Sequence, residues 1–353
     1  MKASMTLFLE RLGIKFPIIQ APMAGVSTPA MTAAISNSGG LGSLALGASS
    51  VSAAREAIHL TRSLTSAPFN VNFFCHRPAA LDLKRDAQWL EFLRPEFVRY
   101  HSQPPTSLRE IYKSFIDNDE MLSLVLAERP RVVSFHFGIP RTDQIAALKE
   151  IDCVLIGCAT SLKEAQMIQA AGLDAVIAQG FEAGGHRGIF RPCGDDLQLS
   201  TIELVKALIT DLKIPVIAAG GIMDGIDVVR ALTQGAGAVQ LGTAFIGCIE
   251  SAADAAYRSA LFSKSTAQTV MTQVISGRPA RCIENKFTRI GEEVTPEIIP
   301  DYPVAYDAGK ALHAAAKACG EAGYGAHWAG AGFSRARSGG AAEIFAELVG
   351  GLR

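Results

Sequence analysis

Pro215-Val216-Ile217-Ala218-Ala219-Gly220-Gly221 is a short apolar run that stops on two glycines, and Gly237-Ala238-Val239-Gln240-Leu241-Gly242-Thr243 repeats the form one unit later. Such runs are apolar throughout rather than alternating. They read as strands covered on both faces, the condition of a parallel sheet wrapped in helices. Six similar runs precede them: Pro17–Met23, Leu41–Leu46, Phe69–Phe74, Arg131–Phe137, Cys153–Ala159 and Asp174–Gly180. Helical patterns with readable ends fill the intervals. Thr28 and Pro29 form an N-cap and first-turn proline ahead of a helix that Gly39-Gly40 stops, and Ser161 opens a helix that Gly172 closes. Eight strand–helix units in order predict an α/β fold, a (β/α)8 TIM barrel. An open doubly wound sheet would be favoured by G-x-G-x-x-G after the first strand, but Gln20–Gly25 reads Q-A-P-M-A-G.

Two stretches interrupt the repeat. Residues 1–245 are expected to form the barrel core, with a helical insertion at about 78–130. That insertion is rich in charge, and Trp89, Leu90, Leu93 and Phe97 recur at helical spacing, so a pair of amphipathic helices is expected. Residues 246–353 are too long for one closing helix and should form a C-terminal helical extension covering the barrel mouth.

Of 353 residues, 33 are Lys or Arg and 34 are Asp or Glu, a net charge of -1. No basic footprint is left for nucleic acid or an anionic membrane, so the expected partner is a small molecule. The longest apolar run, Ile214 to Met223, is too short for a bilayer, which needs about 20 residues. Glu10 and Arg11 cut the first apolar stretch short, so no signal peptide is expected. Seven cysteines without a C-x-x-C pair read as reduced thiols in a cytoplasmic protein. Cys193, in R-P-C-G-D, reads as a plain thiol. The histidines form no H-E-x-x-H or tight cluster, so no metal site is expected. No lysine ends a predicted strand, which argues against Schiff-base chemistry.

Working residues of such a barrel lie at the C-terminal ends of its strands. Gly220 and Gly221 after the seventh strand, with Gly242 and Thr243 after the eighth, allow backbone N–H groups to approach a phosphate. The plainer alternative is that these glycines only make tight turns. Beyond the sixth strand, Gln179–Gly188 reads Q-G-F-E-A-G-G-H-R-G. His186 in this glycine-rich loop is poorly placed to fill a core and suited to act as acid, base or donor. Glu182 could orient the loop, but the plainer expectation is a solvated carboxylate. Tyr302, Tyr306 and Lys310 fall at i, i+4 and i+8, one face if the segment is helical. On the residues alone that face is a packing stripe with a snorkelling lysine.

Q-A-P-M-A-G at Gln20–Gly25, F-N-V-N-F-F-C-H at Phe69–His76, F-H-F-G-I-P at Phe135–Pro140, the Gln179–Gly188 loop and the Gly220–Thr243 stretch occur together in order. As a set they resemble the class I nitronate monooxygenase family over nearly the whole chain. The resemblance implies a barrel flavoprotein that binds FMN without metal. It places Pro22, Met23 and Asn72 against the isoalloxazine, Gln179 in contact with the flavin, and Gly184 and Gly185 bordering it. Gly220, Gly221, Gly242 and Thr243 would hold the phosphate, with Gln240 nearby. His186 matches the family's active-site histidine and His136 a second histidine facing the substrate pocket. Tyr302, Tyr306 and Lys310 would stand beside that pocket. The implied reaction is oxidation of a small anionic nitronate, such as propionate 3-nitronate, by molecular oxygen. His186 would act as a hydrogen-bond donor, or as a base if a neutral nitroalkane binds. Three rivals are an FMN-dependent enoyl-acyl-carrier-protein reductase using NADH, a flavin-free sugar-phosphate isomerase or lyase, and a protein that binds FMN without turnover. H-R-G in the loop and the Tyr-Tyr-Lys face favour the nitronate reading over the reductase.

Overall fold

The computed structural model describes residues 2–80, 82–192, 194–263 and 268–352, and Cys193 lies outside them. Eight parallel strands form the central sheet: β1 (Ile18–Gln20), β2 (Gly42–Ala45), β3 (Phe69–Phe74), β4 (Val132–His136), β5 (Val154–Ala159), β6 (Ala175–Gln179), β7 (Val216–Ala219) and β8 (Ala238–Leu241). Each pairs with its neighbour in sequence from β2 to β8. β8 returns to β1 with Ile18 opposite Val239, and a bridge from Ile19 to Leu41 closes the ring. The expected barrel is therefore present. The strands are shorter than the apolar runs because the flanking residues turn out into loops.

Local chemistry sets the helix starts. The Thr28 hydroxyl accepts from the Met31 amide at 3.0 Å with Pro29 in the first turn, and Ser161 caps Leu162–Ala170. The Lys2–Leu12 helix brings Phe8 and Leu12 against Val132, Ile156 and Ile217, closing the barrel's N-terminal end. Asn70, inside the barrel, donates to the hydroxyls of Ser43 (3.1 Å) and Ser134 (2.9 Å). Apolar packing thus gives way to polar side chains toward the functional end.

The two interruptions resolve differently from the sequence expectation. Leu83–Arg99 is an extra helix whose Trp89, Leu90, Leu93 and Phe97 pack with Leu312, Ala316 and Tyr324. Asp119–Glu128, the second helix, lies between Val51–Leu64 and Thr142–Glu150, so it is the barrel's own third outer helix. At the C-terminus Val304–Ala318 packs on the inserted helix, beside the mouth. Ala341–Gly350 instead packs against Pro29–Asn37 and Gly225–Thr233, closing the outer ring. A three-stranded antiparallel sheet of Gly185–His186, Ala280–Ile283 and Thr269–Thr272 flanks the mouth, and no sequence pattern announced it. Among the described residues no helix is long and apolar enough to cross a membrane.

Candidate active site

A cavity of about 610 Å³ opens at the C-terminal ends of the strands, and every residue that the family resemblance assigned to cofactor or substrate lines it. β1 leads into Pro22 and Met23, β3 carries Asn72, β4 ends on His136 and β6 on Gln179. Gly184, Gly185 and His186 follow β6. Gly220 and Gly221 follow β7, while Gln240, Gly242 and Thr243 come from the end of β8. Tyr306 and Lys310 project from Val304–Ala318. Tyr302 stands just ahead of that helix rather than on it.

One end of the cavity is built for an anion. Gly220 and Gly221 adopt φ of 127° and 68°, values that L side chains rarely take. Among the described residues the amides of Gly221, Ile222 and Gly242 have no protein hydrogen-bond partner. Arg335 holds the Gly221 carbonyl at 3.0 Å and pairs with Asp224 (2.9 Å) and Asp227 (2.8 Å), steadying the turn. Unpaired amides on a cavity wall match the oxygens of one phosphate. Asn72 donates through Nδ2 to the Ser134 hydroxyl at 2.9 Å and carbonyl at 3.2 Å, which leaves its Oδ1 as an acceptor without a partner among the described residues. One phosphate site, an amide acceptor and an apolar wall from Met23 and Ile177 fit FMN.

The loop after β6 is held from below. The Gln179 Oε1 accepts from the Gly188 amide (2.7 Å), and its Nε2 donates to the His186 carbonyl (3.0 Å). Its amide is therefore engaged in placing the loop, a role the motif did not suggest. Arg187, buried beside it, donates to the carbonyls of Gln179 (3.1 Å) and Gly180 (2.9 Å) and pairs with both oxygens of Asp196. Glu182 is not the solvated carboxylate expected. It accepts from the Thr201 amide at 2.9 Å, and the Thr201 hydroxyl also lies 2.9 Å from the Gly220 carbonyl. The histidine loop and the anion turn thus share a tether. A Cβ on Gly184 would stand 2.4 Å from the Gly330 amide nitrogen, because the Trp328–Gly330 tail crosses the loop there.

His186 stands in an aromatic cage. Its ring centroid is 5.0 Å from Trp328, 5.4 Å from Tyr302, 5.7 Å from Phe137 and 6.2 Å from Tyr306. Burial, then the neighbouring His136 and the Arg278 charge, lowers its pKa to about 3. His136 is lowered to about 4, again chiefly by burial. Its Nε2 donates to the His186 carbonyl at 3.2 Å, since a carbonyl only accepts. Both rings are neutral at neutral pH. Lys310 provides a positive charge at the cavity wall, its ammonium 4.9 Å from the Tyr112 ring and 5.3 Å from that of Tyr306. Sequence reasoning missed Tyr112 and Ser276. Tyr112 lines the cavity, as does Trp328 in the tail that crosses the loop, and the Ser276 hydroxyl lies 2.9 Å from His186 Nε2. Neither missed residue belongs to a recognisable spacing.

Known proteins resemble this chain in sequence and fold. The family model described as nitronate monooxygenase matches residues 6–351. A nitronate monooxygenase of Paraburkholderia phytofirmans is 53% identical, with 96% of this chain and 93% of that protein covered. The nitroalkane oxidase from Streptomyces ansochromogenes superposes with a TM-score of 0.90 at 36% identity, covering 98% of this chain and 97% of the other. FabK from Thermotoga maritima superposes with a TM-score of 0.74 at 29% identity, covering 98% and 95%.

Proposed function

The chain belongs to the nitronate monooxygenase family, and on that premise we propose that it binds FMN and oxidises small anionic alkyl nitronates with molecular oxygen, propionate 3-nitronate being the model substrate. One observation carries this reading: a single cavity joins unpaired glycine amides at one end to a neutral imidazole in an aromatic cage and an ammonium at the other. FMN, when bound, supplies the one-electron oxidation that lets oxygen convert the nitronate to an aldehyde-type product and inorganic nitrogen oxides.

The chain's own residues do the rest. The amides of Gly221, Ile222 and Gly242 hold the phosphate, with Thr243 and Gln240 at the same strand end. Pro22, Met23 and Asn72 face the flavin ring, bordered by Gly184 and Gly185. Tyr302, Tyr306 and Trp328 exclude water around the nitronate carbon, which strengthens every polar contact inside. His186 donates a hydrogen bond to a nitronate oxygen, Lys310 attracts the anion, and His136 braces the loop through the His186 carbonyl.

The protein should purify yellow with noncovalent FMN rather than FAD, because the cavity offers one phosphate site and the first strand no pyrophosphate fingerprint. Chromatography of the flavin released on denaturation decides this; FAD, a covalent adduct or no flavin would defeat it. Lys310→Met should raise KM for a nitronate about 5-fold with kcat nearly unchanged. A half-buried ammonium contributes ~1 kcal/mol of attraction, felt equally before and during reaction. Wild-type KM should rise with ionic strength for the same reason. Unchanged kinetics in the variant would return this face to a packing stripe. Oxygen uptake with a nitronate, measured beside NADH oxidation with an enoyl thioester, tests the whole reading; reductase activity alone would overturn it.

A further inference from the structure

Ser276 lies in the turn that joins Thr269–Thr272 to Ala280–Ile283, almost fully buried behind the histidine. Its hydroxyl has three polar neighbours: His186 Nε2 at 2.9 Å, the Arg278 carbonyl at 3.3 Å and the Arg278 amide nitrogen at 3.4 Å. A hydroxyl has one proton and two lone pairs, so it cannot donate to both the imidazole and the carbonyl. The amide can only donate. The imidazole nitrogen is the nearer acceptor and a stronger base than an amide carbonyl.

We propose that Ser276 is a positioning residue that sets the tautomer of His186: its hydroxyl donates to Nε2, so the ring carries its proton on Nδ1. Among the described residues Nδ1 has no protein partner, and His186 lines the cavity. The backbone of the same residue is pinned, its carbonyl accepting from Gln179 Nε2 at 3.0 Å and His136 Nε2 at 3.2 Å. The ring therefore has a fixed origin, a fixed tautomer and an N–H free for a nitronate oxygen. The opposite tautomer would present a lone pair, which suits a base and repels an anion. This inference rests on the nitronate reading for its consequence, though the tautomer itself does not depend on it.

The test is imidazole 15N–1H correlation NMR on holoenzyme labelled at histidine, with the His186 signals assigned by their loss in His186→Asn. Wild type should show a protonated Nδ1 and a bare Nε2. Ser276→Ala should move the proton to Nε2 or split the population. It should also lower kcat for a nitronate about tenfold, the worth of one ordinary hydrogen bond, with flavin content and KM retained. Ser276→Thr should restore both readouts. If Ser276→Ala does not fold, the wild-type tautomer decides the matter alone. A wild-type Nε2–H tautomer overturns the proposal, as does Ser276→Ala with tautomer and kcat unchanged. Wild type that binds no flavin or ignores nitronates defeats the functional reading instead, and leaves the tautomer result standing.

Discussion

His186→Asn should lower kcat/KM for a nitronate and for its matched neutral nitroalkane together, each by about 10²–10³-fold, the usual cost of one lost donor to developing charge. A nitronate is already deprotonated and needs no base. A nitroalkane must first lose its α-proton, so a catalytic base would leave nitronate turnover largely intact in the variant. The structure favours the donor. Burial among Trp328, Tyr302 and Phe137, with the Arg278 charge nearby, holds the ring near pKa 3, where it is too weak a base to drive proton abstraction. The substitution is also a clean one for the loop. Gln179 and His136 grip the His186 backbone carbonyl, not its ring, so asparagine keeps both contacts. Flavin content should therefore stay near wild type, and rates are to be compared per bound flavin. Selective loss of the nitroalkane reaction would restore the base, and full retention of both would remove His186 from the chemistry.

The barrel was legible because its strands are apolar on both faces, a pattern that survives without knowledge of partners. Asp119–Glu128 shows where that legibility stops. Its sequence is amphipathic like that of Leu83–Arg99, and only what each packs against makes one an outer barrel helix and the other an insertion. The candidate site divides the same way. Glycines and a histidine at strand ends could be placed by position, because the fold sends those ends to one mouth. Gln179 and Glu182 could not, since their roles are set by partners across the loop at Gly188 and Thr201. Ser276 is further removed, reaching His186 from a turn 90 residues away in sequence. The two-residue strand Gly185–His186 is too short to carry any periodicity, yet its pairing with Ala280–Ile283 orients the loop.

Unfolding free energy, measured by denaturant titration at fixed excess FMN, should be nearly flat between about pH 7 and 8 and fall steeply below about pH 6.5. His186 is lowered to about 3, and His76, His136 and His327 each to about 4, all chiefly by burial. In the unfolded chain each takes up a proton near pH 6.5, whereas in the native protein each stays neutral until roughly pH 3–4. The unfolded state then binds more protons throughout that window, so stability is lost as pH falls from about 6.5 toward 4. Each such histidine costs on the order of 1.4 kcal/mol per pH unit, and four together would exhaust a typical 5–15 kcal/mol within about two units. His76 supplies the control. It packs edge-on to Tyr302 at 5.1 Å and lies outside the cavity lining, so His76→Phe should flatten the acid slope by about one proton. A native state equally stable at pH 7 and pH 5 would mean that these rings take up protons as readily folded as unfolded. His186 would then be an imidazolium in mild acid, and an account built on a neutral donor in a dry aromatic cage would fail with it.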